Sequence, residues 1–136
     1  MYDPNRGEHF YTKNPEEAEL LVQLGWRHES DSDFNVVSAT EEDAIPVYRF
    51  YNPNCGGMHF YTDNAEEAKY LKSIGWNYEG ISHYVYNASS TKGTPQHRLY
   101  NPNSPSGEHN WTSDKSEADM LKLLGWQDEG TSWRIA

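Results

Sequence analysis

Apolar positions recur at a three-residue step in three places: Ala18-Leu21-Leu24, Ala68-Leu71-Ile74 and Ala118-Leu121-Leu124. Charged residues fill the positions between them, so the spacing predicts three amphipathic helices, each with one narrow buried stripe. Asn14, Asn64 and Asp114 stand at the N-cap positions, and Glu17, Glu67 and Glu117 three residues on complete the pattern of a capping box. Pro15 occupies the favoured first helical position. Gly25, Gly75 and Gly125 predict the stops, because glycine takes the left-handed conformation at least cost. Strand patterns flank each helix. Val47 to Tyr51 is rich in β-favouring residues, and Asn52-Pro53-Asn54 reads as a turn before a second strand, His59-Phe60-Tyr61-Thr62. The equivalents of that second strand are His9-Phe10-Tyr11-Thr12 and His109-Asn110-Trp111-Thr112. A last strand follows each helix, clearest in Glu79 to Tyr86 and Glu129 to Ile135. Copy one departs there, with Glu29-Ser30 in place of Glu-Gly and a more polar Asp31-Ser32-Asp33.

These elements are one unit written three times. Tyr2-Asp3-Pro4-Asn5, Tyr51-Asn52-Pro53-Asn54 and Tyr100-Asn101-Pro102-Asn103 open the copies, and Gly25-Trp26, Gly75-Trp76 and Gly125-Trp126 stand at an even step of 50 residues. Such a unit cannot bury its apolar face alone, so its neighbours must complete the core. The expectation is a single α+β domain over 1–136, built from repeats 1–46, 47–95 and 96–136. Each repeat is a ββαβ unit, and together they have pseudo-threefold symmetry around a closed or nearly closed β core with the helices outside. A β-trefoil-like arrangement is the alternative. Copy one has only Met1 before its tyrosine, whereas Val47-Tyr48-Arg49-Phe50 and His97-Arg98-Leu99 precede the other two. The missing strand predicts either a module excised from a longer protein or a C-terminal segment that closes the ring.

Composition narrows the function. The net charge is −10 over 136 residues, with no basic stripe, which argues against nucleic acid and anionic lipid as partners. No apolar run is long enough to span a bilayer, and no signal peptide is visible. Ten Tyr and five Trp supply contact area with a polar handle on nearly every ring. Cys55 is the only cysteine, has no partner and reads as an incidental turn residue.

Several residues invite a role. Trp26, Trp76 and Trp126 follow the terminating glycines Gly25, Gly75 and Gly125, where a residue packs back on the last helical turn, so all six are assigned to the framework. His9, His59 and His109 occupy equivalent positions. Zinc takes three His ligands, but nothing in the sequence makes these converge, so neither a metal nor any other cofactor is assigned. Tyr11, Tyr61 and Trp111 share a strand face with those histidines. A ring beside an imidazole suits a sugar, one covering its C–H face and the other bonding a hydroxyl. An inter-repeat core is the equal alternative, and both readings stay open. Glu8 and Glu108 suggest a carboxylate pair for glycoside hydrolysis, but copy two has Met58 there, so no catalytic residue is assigned.

Gly7-Glu8-His9-Phe10-Tyr11-Thr12 and Gly75-Trp76-Asn77-Tyr78-Glu79-Gly80, taken with the Tyr-Asn-Pro-Asn openings, resemble a family of secreted bacterial repeat domains. Similar repeats form C-terminal modules of Gram-positive cell-wall hydrolases, among them enterolysin-like bacteriocins and phage endolysins. The resemblance covers essentially the whole chain. It implies a non-catalytic module that targets an N-terminal catalytic domain to the wall, acting extracellularly or within a phage lysin. The expected partner is a bacterial cell-wall glycan, either peptidoglycan sugar or a neutral wall polysaccharide. The expected binding residues are Tyr11, Tyr61, Trp111, His9, His59 and His109. A protein-interaction or assembly module is the alternative, and a glycoside hydrolase ranks last.

Overall fold

Helix-capping chemistry sets the frame of each repeat. In the computed structural model, which describes residues 1–5, 8–29, 35–54, 57–104 and 108–136, three helices form where the periodicity predicts them: α1 (Pro15–Gln23), α2 (Ala65–Ser73) and α3 (Lys115–Leu123). Asn14, Asn64 and Asp114 each accept from two backbone N–H groups of the first turn. The capping box does not close, however. The N-cap N–H groups donate to the hydroxyls of Thr12, Thr62 and Thr112, each at 3.0 Å, which leaves Glu17, Glu67 and Glu117 available for other work. At the far ends Gly25, Gly75 and Gly125 have φ of 98°, 92° and 97°, and the following tryptophan N–H reaches back to the carbonyl of Leu21, Leu71 or Leu121. This is the six-to-one bond of a Schellman stop. The buried stripe is shorter than the pattern suggests. Ala68, Leu71 and Ala118 are buried, but Leu24 is 66 % exposed, and Ile74 and Leu124 are exposed as well. They occupy the helix C-cap, where the backbone has already turned off the helical face.

The strands are β1 (Tyr2–Asp3), β2 (Glu8–His9), β3 (Ala44–Asn52), β4 (Met58–Thr62), β5 (Asn77–Tyr86), β6 (Thr94–Tyr100), β7 (His109–Thr112) and β8 (Gln127–Ile135). Repeats two and three are ββαβ units in which the first strand lies between the other two. Thus β3 pairs antiparallel with β4 and β5, and β6 with β7 and β8. Tyr86 pairs with Arg134 and joins the two halves in a six-stranded order, β4-β3-β5-β8-β6-β7. The result is a nearly closed, barrel-like antiparallel sheet with one helix to each repeat. Repeat one is abbreviated to the short β1–β2 pair, a bridge from Tyr2 to Arg27, and a bond from Val37 N–H to the Tyr84 carbonyl. Ser30 to Asp33, Gly7, Cys55 and Gly56 lie outside the described residues, so the readings placed on them have no structural counterpart here.

The core draws on every repeat: Val47, Phe50, Phe60, Tyr61, Leu71, Val85, Trp111, Trp133 and Ile135 pack together, with Tyr11 and Trp76 against them. Each large apolar side chain contributes about 1.5–3 kcal/mol on full burial. Trp26 and Trp76 sit half-buried, edge-on to Phe10 and Phe60 at 5.9 and 6.0 Å. Trp126 is half-buried too, although its repeat carries Asn110 where the others carry phenylalanine. Among the described residues no helix is long and apolar enough to cross a membrane.

Candidate functional site

The strand residues Tyr11, Tyr61 and Trp111 meet at the centre. Their ring centroids lie 5.2 to 5.9 Å apart and every pair is close to perpendicular. This edge-to-face packing puts the positive rim of one ring against the negative face of the next. The hydroxyls extend the lock. Tyr61 Oη accepts from the Tyr11 N–H (2.8 Å) and donates to the Tyr11 carbonyl (3.1 Å). Tyr11 Oη accepts from the Trp111 N–H (3.1 Å), with Asn110 Oδ1 and the Trp111 carbonyl in reach of its own proton. Copies one and two therefore each grip the backbone of a neighbour. Burial pushes both phenols well above their ordinary value. The third member has no hydroxyl to offer, and Trp111 Nε1 is buried without a hydrogen-bond partner. Tyr61 is 1 % exposed and Trp111 is 4 % exposed. Tyr61 and Trp111 are so enclosed that they present no full ring face for a sugar to cover, whereas Tyr11 is half-buried beside the cavity described below. It is thus for Tyr61 and Trp111 that the geometry favours the inter-repeat core.

The histidines lie apart from one another, each held by a glutamate of its own repeat. His59 Nε2 is 3.1 Å from Glu79, His109 Nε2 is 3.1 Å from Glu129, and His9 Nδ1 is 3.2 Å from Glu29. Among the described residues no group of three or more His, Cys, Asp or Glu is placed to hold a metal ion. Each imidazole instead leans on the tyrosine that opens its repeat, with centroids 5.2 Å apart for Tyr2–His9, 5.1 Å for Tyr51–His59 and 5.0 Å for Tyr100–His109. The hairpin register that pairs Tyr51 with His59, Tyr100 with His109 and Tyr2 with His9 produces this contact. The histidine side chains keep 16–24 % exposure and the glutamates 31–34 %. Three equivalent Tyr–His–Glu clusters thus reach the surface. At Gly57, φ is 78° and an added Cβ would lie 2.2 Å from Tyr51 Oη, so glycine is required where the hydroxyl crosses the turn. The tyrosines and glutamates were visible as repeat punctuation, but their approach to the histidines depends on pairing across the sheet.

Arginine ties these clusters to the neighbouring copy. Arg49 donates from Nε to Glu79 (3.0 Å) and in a fork to both oxygens of Glu17 (3.1 and 3.3 Å), with its guanidinium 4.7 Å from the Phe10 ring centre. Arg98 repeats the arrangement on Glu129 (2.9 Å), Glu67 (3.2 Å) and Phe60 (5.4 Å). Burial opposes the charge on Glu17, but the bonds from Arg49 and Thr12 outweigh it and hold the carboxyl below its ordinary value. Glu8 is only 2 % exposed and is taken up by His59, bonding both its ring Nδ1 and its backbone N–H. Desolvation leaves the Glu108 carboxyl above its ordinary value.

Where repeat three meets repeat one the pattern breaks. An open cavity of about 880 Å³ lies there, lined by Met1, Tyr11, Thr12, Glu29, Trp111 and Glu117 among others. Glu117 accepts from Asn110 and Thr112 at 2.8 and 3.1 Å, where its counterparts Glu17 and Glu67 hold arginines.

Comparison with known proteins gives one family. The profile described as "Domain of unknown function (DUF5648)" matches residues 1–136. No curated protein and no solved structure matches the chain.

Proposed function

The chain belongs to the DUF5648 family, and on that premise we propose that it is a non-catalytic module that binds the bacterial cell wall, targeting a peptidoglycan hydrolase or endolysin to its substrate. The observation that carries this reading is the threefold repetition of the partly exposed Tyr–His–Glu cluster. A tyrosine ring offers an apolar face to a sugar, while imidazole and carboxylate accept and donate at its hydroxyls. His9, His59 and His109 keep the ligand role expected of them, and Tyr2, Tyr51 and Tyr100 supply the rings. Shallow sites of this kind are weak singly. On a polymer that presents the same unit repeatedly, the second and third contacts form at high effective concentration, and avidity rises without new chemistry. The −10 charge favours a neutral glycan over an anionic accessory polymer. A wall glycan is thus the partner, an N-terminal catalytic domain the cargo, and the outside of the cell the place of action.

The test is a pull-down of the intact chain on purified Gram-positive walls, before and after their accessory polymers are stripped. Binding should survive stripping and fall stepwise when Tyr51→Ala and Tyr100→Ala are combined. Loss of binding on stripping, or no effect of the paired substitutions in a folded protein, would refute the assignment.

A further inference from the structure

Copies two and three share one backbone plan, so the places where their side chains differ show what the fold does not need. Tyr48 pairs with Ile81 and Phe50 with Tyr78 across β3 and β5; at the matching places of β6 and β8, His97 pairs with Thr131 and Leu99 with Asp128. Asp128 and Thr131 are exposed, so neither place requires an aromatic or aliphatic side chain. Copy two nevertheless sets Tyr78 and Ile81 there, 43 % and 46 % exposed, with Tyr48 half-buried beside them. The Tyr48 and Tyr78 rings lie 6.1 Å apart at 57° to each other, and the buried Phe50 ring lies 5.2 Å from Tyr78. The nearby lysine differs as well. In copy three Lys122 is spent on Asp119 (3.2 Å) and Asp128 (3.7 Å). In copy two Lys69 replaces Asp119 and Tyr78 replaces Asp128, and the exposed Lys72 ammonium rests over the Tyr78 ring at 4.3 Å. A chain of net charge −10 thus presents an ammonium on an open strip of two phenols and an isoleucine.

We propose that this strip is a saccharide site peculiar to copy two, and that its ligand is a neutral N-acetylated amino sugar within a glycan chain. Tyr48 and Tyr78 supply rigid rings for the C–H face of the sugar, with hydroxyls at their tips for its polar edge. Ile81 gives the acetamido methyl an apolar seat. Lys72 leaves an exposed cation–π contact, which is weak, to donate to the acetamido carbonyl. A plain hexose has neither that methyl nor that carbonyl, so it leaves Ile81 and Lys72 unused. The net charge opposes both a polyanion and a second copy of this chain as the occupant. The proposal rests on the wall-glycan reading for its ligand class but uses none of the Tyr–His–Glu clusters.

The experiment titrates the intact chain with the β-1,4-linked tetramer of N-acetylglucosamine, followed by calorimetry and by the side-chain resonances of Tyr48, Tyr78 and Ile81. Saturable binding with shifts at those residues is expected. The glucose tetramer of the same linkage should bind about tenfold or more weakly, the effect of one lost methyl contact and one lost hydrogen bond. Tyr78→Asp and Ile81→Thr install residues that copy three already carries at these places, so the fold should persist while binding at the strip weakens about tenfold or more. The reverse graft, His97→Tyr with Asp128→Tyr and Thr131→Ile, should bring matching shifts to those positions. Shifts confined to Tyr51 and Tyr100, with the strip silent, would overturn this site and leave the wall-binding reading standing. Loss of wall retention with the tetramer still on the strip would refute that reading and support this site. Absence of binding at millimolar tetramer, equal binding of the glucose tetramer, or a dimer in sedimentation that Tyr78→Asp dissolves would each overturn the proposal.

Discussion

Arg49→Met removes one of the two clamps between repeats while keeping most of the aliphatic stem. The guanidinium makes three bonds to two carboxylates and lies over the Phe10 ring. The arginine side chain is 15 % exposed and its partners about a third, so the bonds are neither fully screened nor fully desolvated. Hydrogen bonds to charged groups reach about 1.5–3 kcal/mol when buried, whereas exposed ion pairs contribute roughly 0–1 kcal/mol. Taking about 0.5 kcal/mol per bond and about the same for the ring contact gives a loss of about 2 kcal/mol. For a chain of this size that is a fall in Tm of about 6–10 °C. Urea unfolding followed by circular dichroism measures the first quantity and calorimetry the second. The pH dependence has a definite sign. The Glu17 carboxyl lies below its ordinary value, so the stability it contributes is present above the unfolded carboxylate range and is lost as pH falls through the depressed value. The gap between the native chain and Arg49→Met should therefore narrow in acid. A loss below about 0.5 kcal/mol, or additive effects of Arg49→Met and Glu17→Gln in a double-mutant cycle, would show that the clamp carries no energy.

Tyr61→Phe keeps the ring but strands the Tyr11 N–H and carbonyl, and should cost about 1–3 kcal/mol in urea unfolding without altering wall binding per folded molecule. Gly57→Ala combines a left-handed φ with a clash on Tyr51 Oη; a loss of about 1–2 kcal/mol and a displaced Tyr51 resonance are expected by nuclear magnetic resonance. His83 is buried, and desolvation, with Lys13 and Arg49 nearby, lowers its pKa from 6.5 to about 4. Its contribution is full above pH 6.5 and lost toward pH 4, to the extent of about 3 kcal/mol, so His83→Gln should flatten the stability profile between those values in urea titrations.

The helix ends were legible in local sequence. Asn14, Asn64 and Asp114 cap helices because a short side-chain acceptor satisfies the first turn, and Gly25, Gly75 and Gly125 end them because the backbone there needs positive φ. Sequence alone left the outcome open where one residue had two physically sound uses. Glu17 fits a capping box by spacing, but Thr12 reaches the N-cap amide first and Arg49 arrives from 32 residues away. Leu24 continues the apolar step, yet the chain has already turned there. Tyr11, Tyr61 and Trp111 could face sugar or core, and only the meeting of the three rings across the repeats favours the core, for Tyr61 and Trp111. The Tyr–His–Glu clusters were spelled out in the repeats, but spacing along a chain does not report which residues face each other across paired strands.

The tyrosine lock limits how such a protein can grow. In an open solenoid a further unit can be stacked on either end, because each surface accepts another like itself. Here the hydroxyl of Tyr61 is spent on the preceding copy and that of Tyr11 on the last, so the interlock runs around a circle rather than along a line. Inserting a fourth unit would pull those rings out of reach of their backbones. More copies could come only from stringing whole trios together.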